Sequence, residues 1–280
     1  MSSEVEPRDG RPAVPDLPGL FVDPAWLDGH LGKPGLRTVD LRDAEAYRIG
    51  HIPGAAHVDL EELGSSGGGR DNVLIPPVEF SDLMTERGIS SGEGIIAYDD
   101  QWGLAAARLL WACHYYGHRK AAVLNGGWDR WRDEGRPVAS GAKGREGPGV
   151  GVRFQATPRP ELYADTEWIV RHIEAGDATL VDARTPAEFE GGHLPGAVSW
   201  DWFNAVPAGS WDASRDPEEL RAEWRALGID PSREVTVYCR SGMRAAHTWL
   251  VLRNAGFERV RLYDGSWQEW STKMEDVLGD

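Results

Sequence analysis

Short apolar runs alternate with longer helical stretches along this chain, and the alternation occurs twice. Ile95 to Tyr98 and Val235 to Tyr238 are β-branched and aromatic runs suited to buried strands. Each is followed by a stretch with helical character. The first runs from Leu104 to Tyr116, and the second runs roughly from Arg244 to Asn254, with Ala246, Trp249, Leu250 and Leu252 on it. Gly117 and Gly256 stand just past these stretches, where a helix commonly ends in a left-handed residue. Another short apolar strand follows in each case, Ala121 to Leu124 and Val260 to Leu262. Strands that alternate with helices predict an α/β architecture, a parallel sheet covered by helices on both faces.

The similarity between the two halves extends to sequence. Residues 38–55 read TVDLRDAEAYRIGHIPGA and residues 180–197 read LVDARTPAEFEGGHLPGA, which pairs Asp40 with Asp182, Arg42 with Arg184, and His51 with His193. Further on, IIAYDDQWGLAAARLLW (95–111) lies over VTVYCRSGMRAAHTWLV (235–251), and NGGWDRW (125–131) lies near DGSWQEW (264–270). Two blocks in register at nearly one spacing predict a duplicated domain rather than a solenoid, whose repeats are shorter and more numerous. The predicted organisation is a loose tail over 1–19, one domain over 20–137, a linker or wrapping segment over 138–160 that is dense in Gly and Pro, and a second domain over 161–278.

Composition narrows the function. The chain of 280 residues carries 45 acidic and 30 basic side chains, a net charge of −15, which argues against non-specific binding to nucleic acid or to an anionic membrane. No apolar stretch approaches the roughly 20 residues of a membrane span, and the polar start lacks a secretory h-region. The expectation is a soluble cytoplasmic protein. Cysteine occurs only as Cys113 and Cys239, too few for a disulfide framework or a thiolate-only metal site.

Duplication supplies an internal control, because features common to both halves read as scaffold and features of one half as candidate chemistry. The D-x-R pairs and the H-[IL]-P-G-A turns are common to both, so a strand-end ion pair and a tight turn are expected there, with Arg184 also a candidate for binding substrate. The turn after the central strand differs. The first half has Asp99, Asp100, Gln101, Trp102 and Gly103, whereas the second has Cys239, Arg240, Ser241, Gly242, Met243 and Arg244. A loop leading from a parallel strand into a helix turns backbone N–H groups toward one point and forms an anion site. A thiolate there is stabilised, Arg240 and Arg244 add positive charge, and Gly242 permits the tight path. Cys113, mid-helix among apolar neighbours, reads as packing. Two carboxylates in the first loop would repel anions, so the first half is expected to be silent. Phosphatases that use a loop cysteine place five residues between Cys and Arg; here only four separate Cys239 from Arg244, and the smaller ring suits a persulfide sulfur better than a tetrahedral oxyanion.

These residues resemble the rhodanese family, in particular its tandem two-domain thiosulfate sulfurtransferases. The likeness rests on V-D-L-R, G-H-I-P-G-A, G-L-A-A-A-R-L-L-W and N-G-G-W in the first half, and on V-D-A-R, G-H-L-P-G-A and Y-C-R-S-G-M-R in the second. It implies a silent first domain, an active second one, a cleft between them, and a loop over 239–244 with Cys239 as sulfur carrier. Such a protein moves the sulfane sulfur of thiosulfate through a persulfide to cyanide or a thiol without metal or organic cofactor. Arg240 favours thiosulfate over 3-mercaptopyruvate, while the Met243-Arg244 ending looks more like single-domain members. Two alternatives stay open: a mercaptopyruvate sulfurtransferase, and a relay that passes its persulfide to a protein partner. His247, Trp200 and Trp202 are weaker candidates for the pocket.

Overall fold

The computed structural model describes residues 14–67, 70–141 and 153–278. The first half supplies strands β1 (Phe21–Val22), β2 (Leu36–Asp40), β3 (Ala56–His57), β4 (Gly64–Gly67), β5 (Arg70–Leu74), β6 (Gly94–Tyr98) and β7 (Ala121–Leu124). Its helices are α1 (Pro24–Asp28), α2 (Ala44–Ile49), α3 (Pro77–Glu86), α4 (Leu104–Tyr115) and α5 (Gly127–Asp133). The second half supplies β8 (Tyr163–Ala164), β9 (Ala178–Asp182), β10 (Val198–Ser199), β11 (Glu234–Tyr238) and β12 (Val260–Tyr263). Its helices are α6 (Thr166–Ala175), α7 (Pro186–Glu190), α8 (Pro217–Ala226), α9 (Met243–Asn254) and α10 (Ser266–Leu278). Each half forms a five-stranded parallel sheet, in the order β1-β7-β6-β2-β3 and, with the same connectivity, β8-β12-β11-β9-β10. The α/β expectation therefore holds twice, and β4 and β5 add a small antiparallel pair.

The two-residue period of the central strands decides which side chains meet across the domain seam. Ile95 and Ala97 of β6 join one large core that also contains Val235 and Val237 of β11, whereas Ile96 and Tyr98 face a smaller core under α1, α2 and α5. Tyr238 faces the corresponding smaller core of the second half. The shared core is completed by α4 and α9, which pack on each other across the seam. Cys113 is fully buried on α4 and burial drives its pKa well up, in keeping with a packing role. Gly117 and Gly256 close the two helices at φ of 84° and 89°.

The D-x-R pairs brace the strand ends identically. Arg42 Nη2 meets Asp40 at 2.7 Å and the Gly50 carbonyl at 2.6 Å; Arg184 Nη2 meets Asp182 and the Gly192 carbonyl, both at 2.6 Å.

The segment between the domains is partly a strap. Residues 142–152 of it lie outside the described residues. Beyond them Phe154 is buried against Phe80, and the Thr157 amide donates to the Tyr116 carbonyl at 3.0 Å. Of the expected tail, residues 1–13 lie outside the described residues, and Leu17 packs on the smaller first-half core. Among the described residues no helix is long and apolar enough to cross a membrane.

Candidate active site

Cys239 continues the alternation of β11. It follows Val235 and Val237 onto the shared face and lies in the interdomain core at 1% exposure. The start of α10 orients the loop that follows. The amides of Trp267 and Gln268 donate to the carbonyls of Cys239 (3.0 Å) and Arg240 (3.1 Å), and the Cys239 amide donates to Ser266 Oγ at 3.2 Å. Gly242 then takes φ 87° as the N-cap of α9, a conformation that costs most residues roughly 1–2 kcal/mol. With the carbonyls drawn toward α10, the first-turn N–H groups of α9 are left at a helix N-terminus, where positive partial charge collects.

The first half shows what such a turn binds. The Asp99 carboxylate accepts hydrogen bonds from the amides of Gln101, Gly103 and Ala106, all at 2.8 Å, and is 2% exposed. Burial raises its pKa, opposed by the amide bonds. The anion cradle of the first half is thus filled by its own side chain. In the second half no side chain among the described residues accepts from the amides of residues 240–245. The first loop is also one residue longer between its Tyr and its αL glycine, and it carries Trp102 at φ 53°.

The charges around the second loop are arranged differently from the expectation of two free cations. Arg244 donates to both oxygens of Glu188, at 2.7 and 2.8 Å. That bond raises the Arg244 pKa, with Cys239 also contributing, and lowers the Glu188 pKa to about 2. Arg244 is therefore half of an ion pair beside the thiol. Glu188 is itself fixed by a capping box, since its carboxylate also accepts from the Thr185 amide and hydroxyl. Arg240 is exposed and makes no ion pair with any described residue. Ser241 and Met243 are half-buried, and Met243 packs against the shared core.

Arg184 is 2% exposed and is engaged by Asp182, by the Gly192 carbonyl and by the Trp267 ring at 4.7 Å. It repeats what Arg42 does in the half without the thiol, bracing a strand end. His247 is fully buried, with Nε2 at 2.9 Å from the Ala213 carbonyl and 3.1 Å from that of Trp102; burial lowers its pKa to about 4. It ties α9 to the first half and does not cap a surface. Trp200 is core, packed on Trp224, whereas Trp202 meets the His247 ring edge-on at 5.1 Å.

Directly behind Gly242 lies a feature that the motifs do not reveal. Arg108 of α4 and Asp264 meet at 2.6 Å across the seam, neither side chain exposed. Asp264 also accepts from the Leu74 amide, and Arg108 donates to the Asn72 carbonyl, each at 2.8 Å. A Cβ on Gly242 would stand 2.7 Å from the Asp264 carboxylate and 3.0 Å from the Arg108 guanidinium. The other half has the neutral counterpart: Asn125, at the repeat position of Asp264, bonds to Asp212 (2.9 Å) and the Ala213 amide (3.0 Å), and His247 takes the helix position of Arg108. An arginine inside the otherwise apolar run LAAARLLWAC was the available signal for a buried pair. Glu188 was legible only as the last residue of the T-x-x-E capping box.

Two duplicated parallel α/β domains, one with a carboxylate in its cradle and one with a thiol, define a tandem protein with a single candidate centre. The chain belongs to the rhodanese-like family: the model of the Rhodanese-like domain matches residues 23–134 and 165–273. It is similar to a thiosulfate sulfurtransferase of Corynebacterium glutamicum, with 34% identity covering 96% of this chain and 93% of that protein. It is also 34% identical to the sulfur carrier protein TtuD of Thermus thermophilus, over 90% and 94% of the two chains. Among solved structures, the 3-mercaptopyruvate sulfotransferase SseA of Escherichia coli matches with a TM-score of 0.81 and 29% identity, covering 89% of this chain and 99% of that one.

Proposed function

We propose that this protein is a thiosulfate sulfurtransferase with Cys239 as its sulfur carrier. The observation that carries the reading is the contrast between the loops: one amide cradle is filled by Asp99, and the corresponding one follows a thiol with no side chain among the described residues filling it. The Cys239 thiolate attacks the outer sulfur of thiosulfate, a bond forms between the two sulfurs, and the sulfur–sulfur bond of thiosulfate breaks as sulfite leaves with the electron pair. Cyanide or a thiol then takes the outer sulfur of the persulfide, and the Cys239 thiolate departs. An anion approaching a second anion is opposed by Coulomb repulsion. The loop amides and the uncompensated Arg240 would offset that repulsion, whereas Arg244, paired with Glu188, adds little net charge. With Cys239 at 1% exposure, a compact donor such as thiosulfate is favoured.

Intact mass spectrometry after incubation with thiosulfate tests this reading. A gain of one sulfur that survives Cys113→Ser and disappears in Cys239→Ser supports it; a gain that persists without Cys239 overturns it. The likeness to a named sulfur carrier protein supports a second reading, in which the persulfide passes to a protein acceptor. Slow turnover with both thiosulfate and cyanide would favour that relay, and the likeness to SseA makes 3-mercaptopyruvate the alternative donor to assay.

A further inference from the structure

At the far end of α9 from the thiol, the seam between the domains opens into a cavity of about 330 Å³ lined by five arginines, Arg119, Arg159, Arg253, Arg259 and Arg261, against three glutamates, Glu161, Glu234 and Glu258. Such a concentration of positive charge runs against a chain of net charge −15. Arg253 lies ten residues beyond Met243, so the helix rise puts the cavity about 15 Å from the start of α9.

Part of this charge is used locally. Arg159 pairs with Glu161 at 2.6 Å, Arg261 pairs with Glu234, and Arg253 donates to the carbonyls of Phe257 and Glu258. Arg119 and Arg259 are exposed and make no ion pair with any described residue. In the wall, His114 is 9% exposed and its ring meets Trp249 edge-on at 5.5 Å. Burial, and after it Arg253, holds His114 at a pKa of about 4. Burial also pushes Arg253 below its ordinary value, and Arg159 and Arg119 push the same way against Glu258. Guanidinium groups from both domains and from the strap between them converge on one concavity.

We propose that this cavity binds a compact, multiply charged oxyanion, with Arg119 and Arg259 as its principal free ligands. Planar guanidinium groups match the oxygen pairs of a phosphoryl group or of a sulfur oxyanion, and several of them working together select for a dianion. Because the cavity draws on residues of both domains, a bound anion would also fasten the seam at the end remote from the thiol. The proposal does not depend on the chemistry assigned to Cys239.

Calorimetric titration of the full chain carrying Cys239→Ser, which cannot form the persulfide, with inorganic phosphate and with thiosulfate, at ionic strength held constant with sodium chloride, tests it. Phosphate affinity should persist in Arg240→Ala, which removes the loop cation, and fall at least tenfold in Arg119→Ala/Arg259→Ala, both of which are surface changes whose folding a thermal melt can verify. If thiosulfate binding weakens equally in the double variant, the ligand class includes the reaction's own oxyanions; tighter phosphate binding points to a phosphoryl ligand. Unchanged affinity in the double variant, loss of binding in Arg240→Ala, or no heat beyond the chloride control overturns the proposal.

Discussion

Arg244 and Glu188 form a two-pronged ion pair, at 2.7 and 2.8 Å, beside the loop that bears Cys239. The pair makes the charge at the loop conditional on pH. With its folded pKa lowered to about 2 against about 4.3 in an unfolded chain, Glu188 contributes stability that is fully present above the unfolded value and is lost as pH falls through the folded one. Glu188→Gln should therefore melt below wild type at neutral pH, and the gap should close as pH is lowered from about 5 toward 2. A gap independent of pH in thermal melts would show that the carboxylate charge is not what matters.

Arg240 is the loop cation with no ion-pair partner among the described residues, so its loss should be felt in turnover rather than in folding. One donor at a developing anion is typically worth about 2.7–4 kcal/mol, and Arg240→Ala should lower kcat/KM for thiosulfate by on the order of a hundredfold. Steady-state assays of thiosulfate and cyanide check this; unchanged kinetics would remove Arg240 from the site.

In the half without the loop thiol, Asp99 accepts from three backbone amides. Asp99→Ala should destabilise the protein by about 1–3 kcal/mol, since buried donors are left unpaired. Sulfur uptake on Cys239 should persist. Denaturant unfolding together with mass spectrometry separates the two effects, and an equally stable variant would mean that water replaces the carboxylate without cost.

Gly242→Ala places a methyl group 2.7 Å from the Asp264 carboxylate in a backbone region that alanine disfavours. The loop must shift, and persulfide formation should slow by at least tenfold while the fold is retained. A stopped-flow trace that matches wild type would show that the loop tolerates displacement.

The Arg108–Asp264 pair is buried on both sides, so removing one partner strands a charge. Asp264→Asn should cost about 3–5 kcal/mol in urea unfolding, whereas Arg108→Met/Asp264→Leu should recover much of that loss. If the double variant is as unstable as the single one, the bonds to Leu74 and Asn72 matter more than the charges.

Much of this was legible from residues alone. The repeat dictated two like domains, because a sequence that encodes one α/β unit encodes it again wherever the apolar period recurs. Strand alternation fixed the side of β11 on which Cys239 stands, since Val235, Val237 and Cys239 must share a face. The thiol and its loop glycine were readable because they are local, held within a strand end and one helical turn. What the tertiary structure alone decided is how the charges are spent. Arg244 finds Glu188 across 56 positions and Arg108 finds Asp264 across 156, whereas the local pair of Arg184 with Asp182, two residues away, was already expected from the D-x-R motif. Pairing of charges depends on which surfaces the packed domains bring within a few ångströms, and a one-dimensional pattern carries no record of that distance.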